Sequence, residues 1–477
     1  MSEWIKTLGK DSLVYGIGFG VSRFLQIIIL PIIAQTLSLS EFGYYSNYVI
    51  FYSFAGGLFI FGLDSAVTRF FFDSEDKRYH QQLFSSAFYF ILLLSIASVC
   101  IFSIFASPIR DLLGIPDQYS SAMTYVLLCI PAVTLNGFLL SWFKWKREKA
   151  KFLFNSAATV ALLLVPLLVA SKVSFIYIFQ VIFWSQLFIA IFSCILAGSY
   201  IRFYFRADLM RSLLWYGFPW MLVFLFGASR TYLDRMFLTS YLNDDSYGLY
   251  NFSVRIATLL SLVITAFDMS FGPLAFSIWN QSGAPRFFSR LQSLYVFVIS
   301  AFACSICIAA PMIIQLLGGQ KYEGAEKILP LLLFAAIPLS LVNFSNLGAA
   351  YAKKSIVSTV TLLVGLVVVL FFNILLTKHY LQYGAAIASL IGHTSIVIAG
   401  FILSSKYYQI PFAYAKDAVV LLLFFFLSIF SVNFNFSGNQ YEDMLGKAII
   451  LIVVVILLVG LAFKDEYKKA LTAIKAR

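Results

Sequence analysis

From end to end this chain alternates long apolar stretches with short polar or basic patches. A run of roughly 20 apolar residues is what a helix needs to cross the hydrocarbon core of a bilayer, where each backbone polar group has to be satisfied within the protein. Read with a window of roughly 19 residues, the pattern predicts fourteen spans. They lie near 13–36, 44–67, 82–106, 120–142, 152–170, 174–197, 213–238, 247–275, 288–315, 326–350, 356–377, 384–404, 415–434 and 447–463. The loops between them are short, about a dozen residues at most, and leave no room for an inserted soluble domain. The predicted fold class is an all-α polytopic membrane protein.

Composition agrees: of 477 residues, 61% are hydrophobic and 12% charged, with a mean hydropathy of +0.88. A soluble domain cannot bury that much apolar surface. The net charge of +12 does not point to nucleic acid, because the Lys and Arg residues sit in patches between spans. With the N-terminus placed in the cytoplasm, twenty-four of them fall on the inner side and six, Arg110, Lys172, Lys321, Lys327, Lys378 and Lys447, on the outer. The positive-inside bias therefore predicts both termini in the cytoplasm. The apolar stretch after Lys6 and Lys10 runs on to Leu37 without a small-residue cleavage site, so it reads as a retained first helix. The five cysteines all lie in apolar runs and read as small buried residues.

The remaining four basic residues, Arg23, Arg230, Arg235 and Arg255, lie inside spans. Two of them belong to an internal repeat. "FGVSRFLQIIILPIIAQTLSLSEFGYYSNY" from Phe19 aligns with "FGASRTYLDRMFLTSYLNDDSYGLYNF" from Phe226, so helices 1 and 2 resemble helices 7 and 8. The register extends further, since Asp64 follows Gly43 by 21 residues and Asp268 follows Gly248 by 20. An even number of helices separates the copies, which makes the repeat a parallel one, an arrangement transporters use to handle substrate between two rocking halves. The expected organisation is an N-lobe at 1–206 (helices 1 to 6), a C-lobe at 207–408 (helices 7 to 12), and at 409–477 helices 13 and 14 with a basic cytoplasmic tail.

Two longer stretches carry a family resemblance. "LSLSEFGYYSNYVIFYSFAGGLFIFGLDSAVTRFFF" at 37–72 joins a Glu-Phe-Gly-Tyr corner to a Gly-Leu-Asp-x-Ala-x-x-Arg-Phe helix end. The region 316–393 holds Tyr-x-x-Ala-x-x-Ile-Leu-Pro, Asn373 and Tyr-Gly-Ala-Ala. Both resemble the Wzx-type polysaccharide flippases of the MOP superfamily, which also holds the drug-exporting MATE proteins and the peptidoglycan-precursor flippases. The resemblance runs over nearly the whole chain and rests on structural motifs that do not name a cargo. It implies alternating access, a cationic central cavity between two lobes, and a bacterial cytoplasmic (inner) membrane location. The implied partner is a polyprenyl pyrophosphate-linked glycan, with a polysaccharide polymerase and chain-length machinery as further candidates.

The intramembrane charges supply the candidate site. Arg23 sits mid-helix on a face shared with Gly16, Gly20 and Gln26. Lipid penalises such a residue, so it is expected to line a cavity and hold an anionic headgroup, with a structural ion pair as the competing reading. Arg255, without an acidic residue one turn away, is the second candidate. Arg230 is the third, though Asp234 four residues on is spaced to neutralise it. Asp64, Arg69, Asp234 and Asp268 are candidate gate or coupling residues, against which stands an ordinary solvated helix end. Asn251 and Asn373 are candidate sugar contacts or simply helix-to-helix hydrogen bonds, and His393 reads as hydrogen-bonded packing.

Three functions compete. A lipid-linked oligosaccharide flippase needs a positively charged cavity, for which arginine suits because it stays ionised and its fork matches phosphate oxygens. A cation-coupled exporter needs carboxylates deep in the lobes, whereas here the deep charges are mainly Arg. A membrane enzyme needs acid and base groups gathered at one face, with a substantial external loop. The chain has no GxxxxGK[ST] loop and no HExxH, so no catalytic residue, cofactor or metal is expected.

Overall fold

The computed structural model describes residues 28–462 except 147, 171, 353, 355 and 438, and describes residues 230, 231, 273 and 460–462 by their backbone alone. Among the described residues all regular structure is helical. In chain order the principal helices are α1 (Leu39–Phe59), α2 (Leu63–Phe71), α3 (Lys77–Ile104), α4 (Ser120–Trp145), α5 (Lys149–Val169), α6 (Phe175–Leu196) and α7 (Ala207–Tyr241). They continue with α8 (Asp244–Ala257), α9 (Leu260–Ile278), α10 (Ala284–Leu317), α11 (Leu329–Ser340), α12 (Ile356–Ser404), α13 (Tyr414–Asn433) and α14 (Gln440–Ala462).

Eleven helical segments among the described residues are long and apolar enough to cross a membrane, α1 with α2 and α8 with α9 each forming one. The first expected span, 13–36, lies largely outside the described residues. The expected spans 356–377 and 384–404 both fall in α12, which is two helices meeting at Leu381, where the backbone is non-helical (φ 51°, ψ −130°). The last expected span falls in α14.

Local chemistry fixes the corners. Ser38 opens α1 with a reciprocal cap: the Glu41 amide donates to Ser38 Oγ (3.1 Å) and the Ser38 amide to Glu41 Oε2 (2.9 Å). The single span expected at 44–67 is broken at Ile60 to Gly62. Gly62 takes φ +67°, and a Cβ there would run into the carbonyl oxygen of Gly217 in α7, so this corner requires glycine. The expected span 247–275 is likewise interrupted, by a turn at Thr258 and Leu259 between α8 and α9.

Two compact units divide the described residues. The first comprises those up to Phe252 together with Leu362–Ala388, and the second Ser253–Thr361 together with those from Ser389 onward. The first unit is built on an aromatic core in which Phe84, Phe138, Trp142, Phe143 and Phe152 pack with Leu213. Its most enclosed span is Asp117–Trp145, 67% of whose most apolar stretch is buried; in the second unit the corresponding figure is 61% for Ala325–Tyr351. These are helices 4 and 10 in the expected order. α10 is 56% buried over its most apolar stretch, against 28% for α3, and α13 and α14 pack on it. Phe297 meets Phe424 edge-on at 5.8 Å, and Gln292 Nε2 donates to Asp417 Oδ2 at 2.9 Å. Close approach in this unit uses small residues: Gly348 lies against Ser404, and Gly400 against Ser345.

Candidate functional site

Arg23 lies outside the described residues, and of Arg230 only the backbone, within α7, is described. Arg255 is half-buried in the last turn of α8, and among the described residues no carboxylate pairs with it. The helix ends just beyond it, where Thr258 Oγ1 donates to the Arg255 carbonyl at 2.5 Å. A guanidinium held at a helix C-terminus is favoured by the helix dipole and retains its donors for an anion.

A second group of candidates comes together within the first unit, where the two corners of the repeat meet. Gly43 of α1 and Gly248 of α8 cross so closely that a Cβ on Gly43 would reach the Gly248 Cα at 3.4 Å and the Tyr247 ring at 2.9 Å, while a Cβ on Gly248 would collide with the Leu39 carbonyl. Polar groups cluster around this crossing. Tyr247 donates its hydroxyl to Asn47 Oδ1, and Tyr250 donates to Asp234 Oδ2 at 2.6 Å. The other Asp234 oxygen accepts from the Arg235 amide at 2.8 Å. Asp234 is 9% exposed, and a carboxylate at that depth is tolerable only because these donors reach it. Asn251, 1% exposed, donates to the Tyr247 carbonyl at 2.9 Å, and its Oδ1 has no hydrogen-bond partner among the described residues.

The remaining candidates make bonds of their own. Asp64 opens α2, where its carboxylate faces the positive end of a short helix and its carbonyl accepts from Thr68 Oγ1 at 2.7 Å. Arg69 closes the same helix, exposed and paired with Asp73 at 2.6 Å. In the second unit Asp268 accepts from Asn343 Nδ2 at 2.7 Å. Asn373 is fully buried; it donates to the Val369 carbonyl at 3.0 Å and accepts from Thr377 Oγ1 at 2.9 Å. His393 Nδ1 lies 2.6 Å from the Ala335 carbonyl.

Sequence reasoning missed Asn47, Tyr247 and Tyr250. The signal was present in the Tyr-Gly-Leu-Tyr corner of the repeat, since a buried tyrosine usually brings a partner for its hydroxyl.

Comparison with known proteins bears on the family and the fold. A family model described as "Polysaccharide biosynthesis protein" matches residues 8–279, which include all three candidate arginines. Curated protein sequences give no significant match. Among solved structures, the chain is similar to a lipid II flippase MurJ in an inward closed conformation, with TM-score 0.77 and 16% identity over 95% of this chain and 100% of that one. It is also similar to an inward-facing multidrug resistance MATE family transporter of the MOP superfamily, with TM-score 0.65 and 14% identity over 84% of this chain and 98% of that one. A MOP superfamily transporter from Pyrococcus furiosus gives TM-score 0.53 and 14% identity over 87% of this chain and 96% of that one. The chain belongs to the polysaccharide biosynthesis protein family and has the fold of the MOP-superfamily transporters.

Proposed function

We propose that the protein is a flippase that moves polyprenyl-pyrophosphate-linked oligosaccharide repeat units from the cytoplasmic to the outer leaflet of the bacterial inner membrane, for O-antigen or capsule synthesis. The supporting observation is that the family match spans both arginine-bearing copies of the repeat. In this reading Arg23, Arg230 and Arg255 receive the pyrophosphate while the polyprenyl tail stays in lipid. The sugars need only hydrogen-bonding groups, and Asn251, with a buried carbonyl oxygen left over, is the candidate for them. No bond of the cargo is made or broken. The crossing of the repeat corners at Gly43 and Gly248 is proposed as a gate, with the Asp234 to Tyr250 bond as its latch.

The likeness to a MATE transporter favours a second reading, cation-coupled export of drugs, in which Asp234 serves as the coupling carboxylate. Deletion of the protein in its host separates the two. Accumulated lipid-linked repeat units on the inner leaflet and a missing surface polymer support the flippase. Lost resistance to cationic dyes with an intact surface glycan supports the exporter.

A further inference from the structure

A cavity of about 430 Å³ opens at one end of the second unit, between the C-terminal end of α10, the segment 319–326 and the 434–441 turn that joins α13 to α14. Both loops are on the outer side in the expected topology. The cavity is far larger than the ~30 Å³ share of a water molecule and falls within the size range of small-molecule sites. Pro311 and Met312 of α10 and Val432 of α13 give its lining an apolar part.

Its rim is of a different chemistry. Gln315, Gln320, Glu323 and Gln440 line it, and among the described residues none of these four side chains makes a hydrogen bond within the protein. The wall behind them is fixed. Lys447, 4% exposed, lies 2.5 Å from Asp443 and donates to Asn435 Oδ1 at 3.3 Å, while Asp443 Oδ1 accepts from the Phe436 amide at 2.6 Å. These bonds tie the 434–441 turn to α14 and consume the cation that the cavity contains. Glu323, Glu326 and Asp443 then outnumber Lys447, which disfavours any anionic ligand.

A largely polar concave site with some apolar lining, amides without a partner among the described residues and excess negative charge suits a neutral sugar, whose hydroxyls bond to planar amides and whose C–H face lies on apolar surface. We propose that this cavity binds a neutral hexose or N-acetylhexosamine unit on the side of the membrane where the glycan is released. The proposal rests on the reading of the chain as a carrier of lipid-linked glycans, and it gives α13 and α14 a role in grasping cargo.

Saturation-transfer NMR on the full-length protein in nanodiscs tests it, with chitobiose and maltose as neutral probes and a hyaluronan disaccharide as the anionic one. The expected result is transfer to at least one neutral disaccharide and none to the uronate. The Gln320→Ala, Gln440→Ala double variant, changed at exposed positions and checked for unaltered melting, should lose affinity by about tenfold or more, from two hydrogen bonds at ~1 kcal/mol each. Silence from both neutral sugars, equal transfer in the double variant, or preference for the uronate would overturn the site. Flipping measured on the same preparation in liposomes keeps the two readings separate. Sugar binding without flipping would leave the site standing and count against the transport function, whereas flipping without sugar binding would remove the site alone.

Discussion

Arg255 is the described residue that most directly tests the cationic reading. Half-buried at the end of α8 without a carboxylate partner among the described residues, it is favoured there by the helix dipole and keeps its donors for a ligand or water. Arg255→Ala should therefore abolish transport while leaving the protein inserted at normal abundance, and Arg255→Lys should restore it only in part, since an ammonium lacks the bidentate fork. Flipping rate against immunoblot level measures both. Normal transport by the Ala variant would remove Arg255 from the site. Tyr250→Phe should behave in the opposite way, leaving a buried oxygen of Asp234 without a donor at a cost of about 1–3 kcal/mol, seen as a lower melting temperature in detergent. The arginines were legible in the sequence because charge inside an apolar run is conspicuous. Tyr250 and Asn47 were not, because their significance lies in partners 16 and 200 residues away that only the packed helices bring within reach.

At the scale of the element, the corners decide. The pattern of apolar runs located most of the helices, yet it predicted unbroken spans where Gly62 and the Thr258 turn interrupt them. Hydropathy reports the solvent around a segment and is blind to a backbone break that stays inside the same apolar run. The capping residues Ser38 and Glu41 stand in the quoted stretch as Ser-Leu-Ser-Glu, a local spacing, whereas the approach of Gly43 to Gly248 required two distant segments to be superposed. That approach predicts an asymmetry among glycines. Gly248→Ala puts a methyl group on the Leu39 carbonyl and should lower both protein level and flipping. Gly272→Ala, in α9 with nothing within 4 Å of the added atom, should be tolerated. Equal behaviour of the two variants would show that the crossing carries no weight.

For the whole molecule, the parallel repeat and the positive-inside bias together predict fourteen helices with both termini in the cytoplasm. Cysteine labelling from either side, at the 36–43 corner and at the 144–151 loop, should give opposite accessibility; the same side for both would sink this topology. The fold class and the superfamily were readable from periodicity and corner motifs because a helix in lipid needs little beyond length and apolarity to be specified. The cargo was not readable in the same way. A headgroup site is a matter of a few polar atoms converging from separate helices, and the motifs that mark the family are the ones that shape its corners. The central claim is that the protein moves a lipid-linked glycan across a bilayer without changing it. Purified protein in liposomes carrying a fluorescent or lectin-detectable polyprenyl-pyrophosphate-linked glycan in the inner leaflet tests this directly. The prediction is that the glycan becomes accessible from outside with its chemical structure intact; an inaccessible glycan, together with coupled efflux of a cationic drug from the same liposomes, would contradict it.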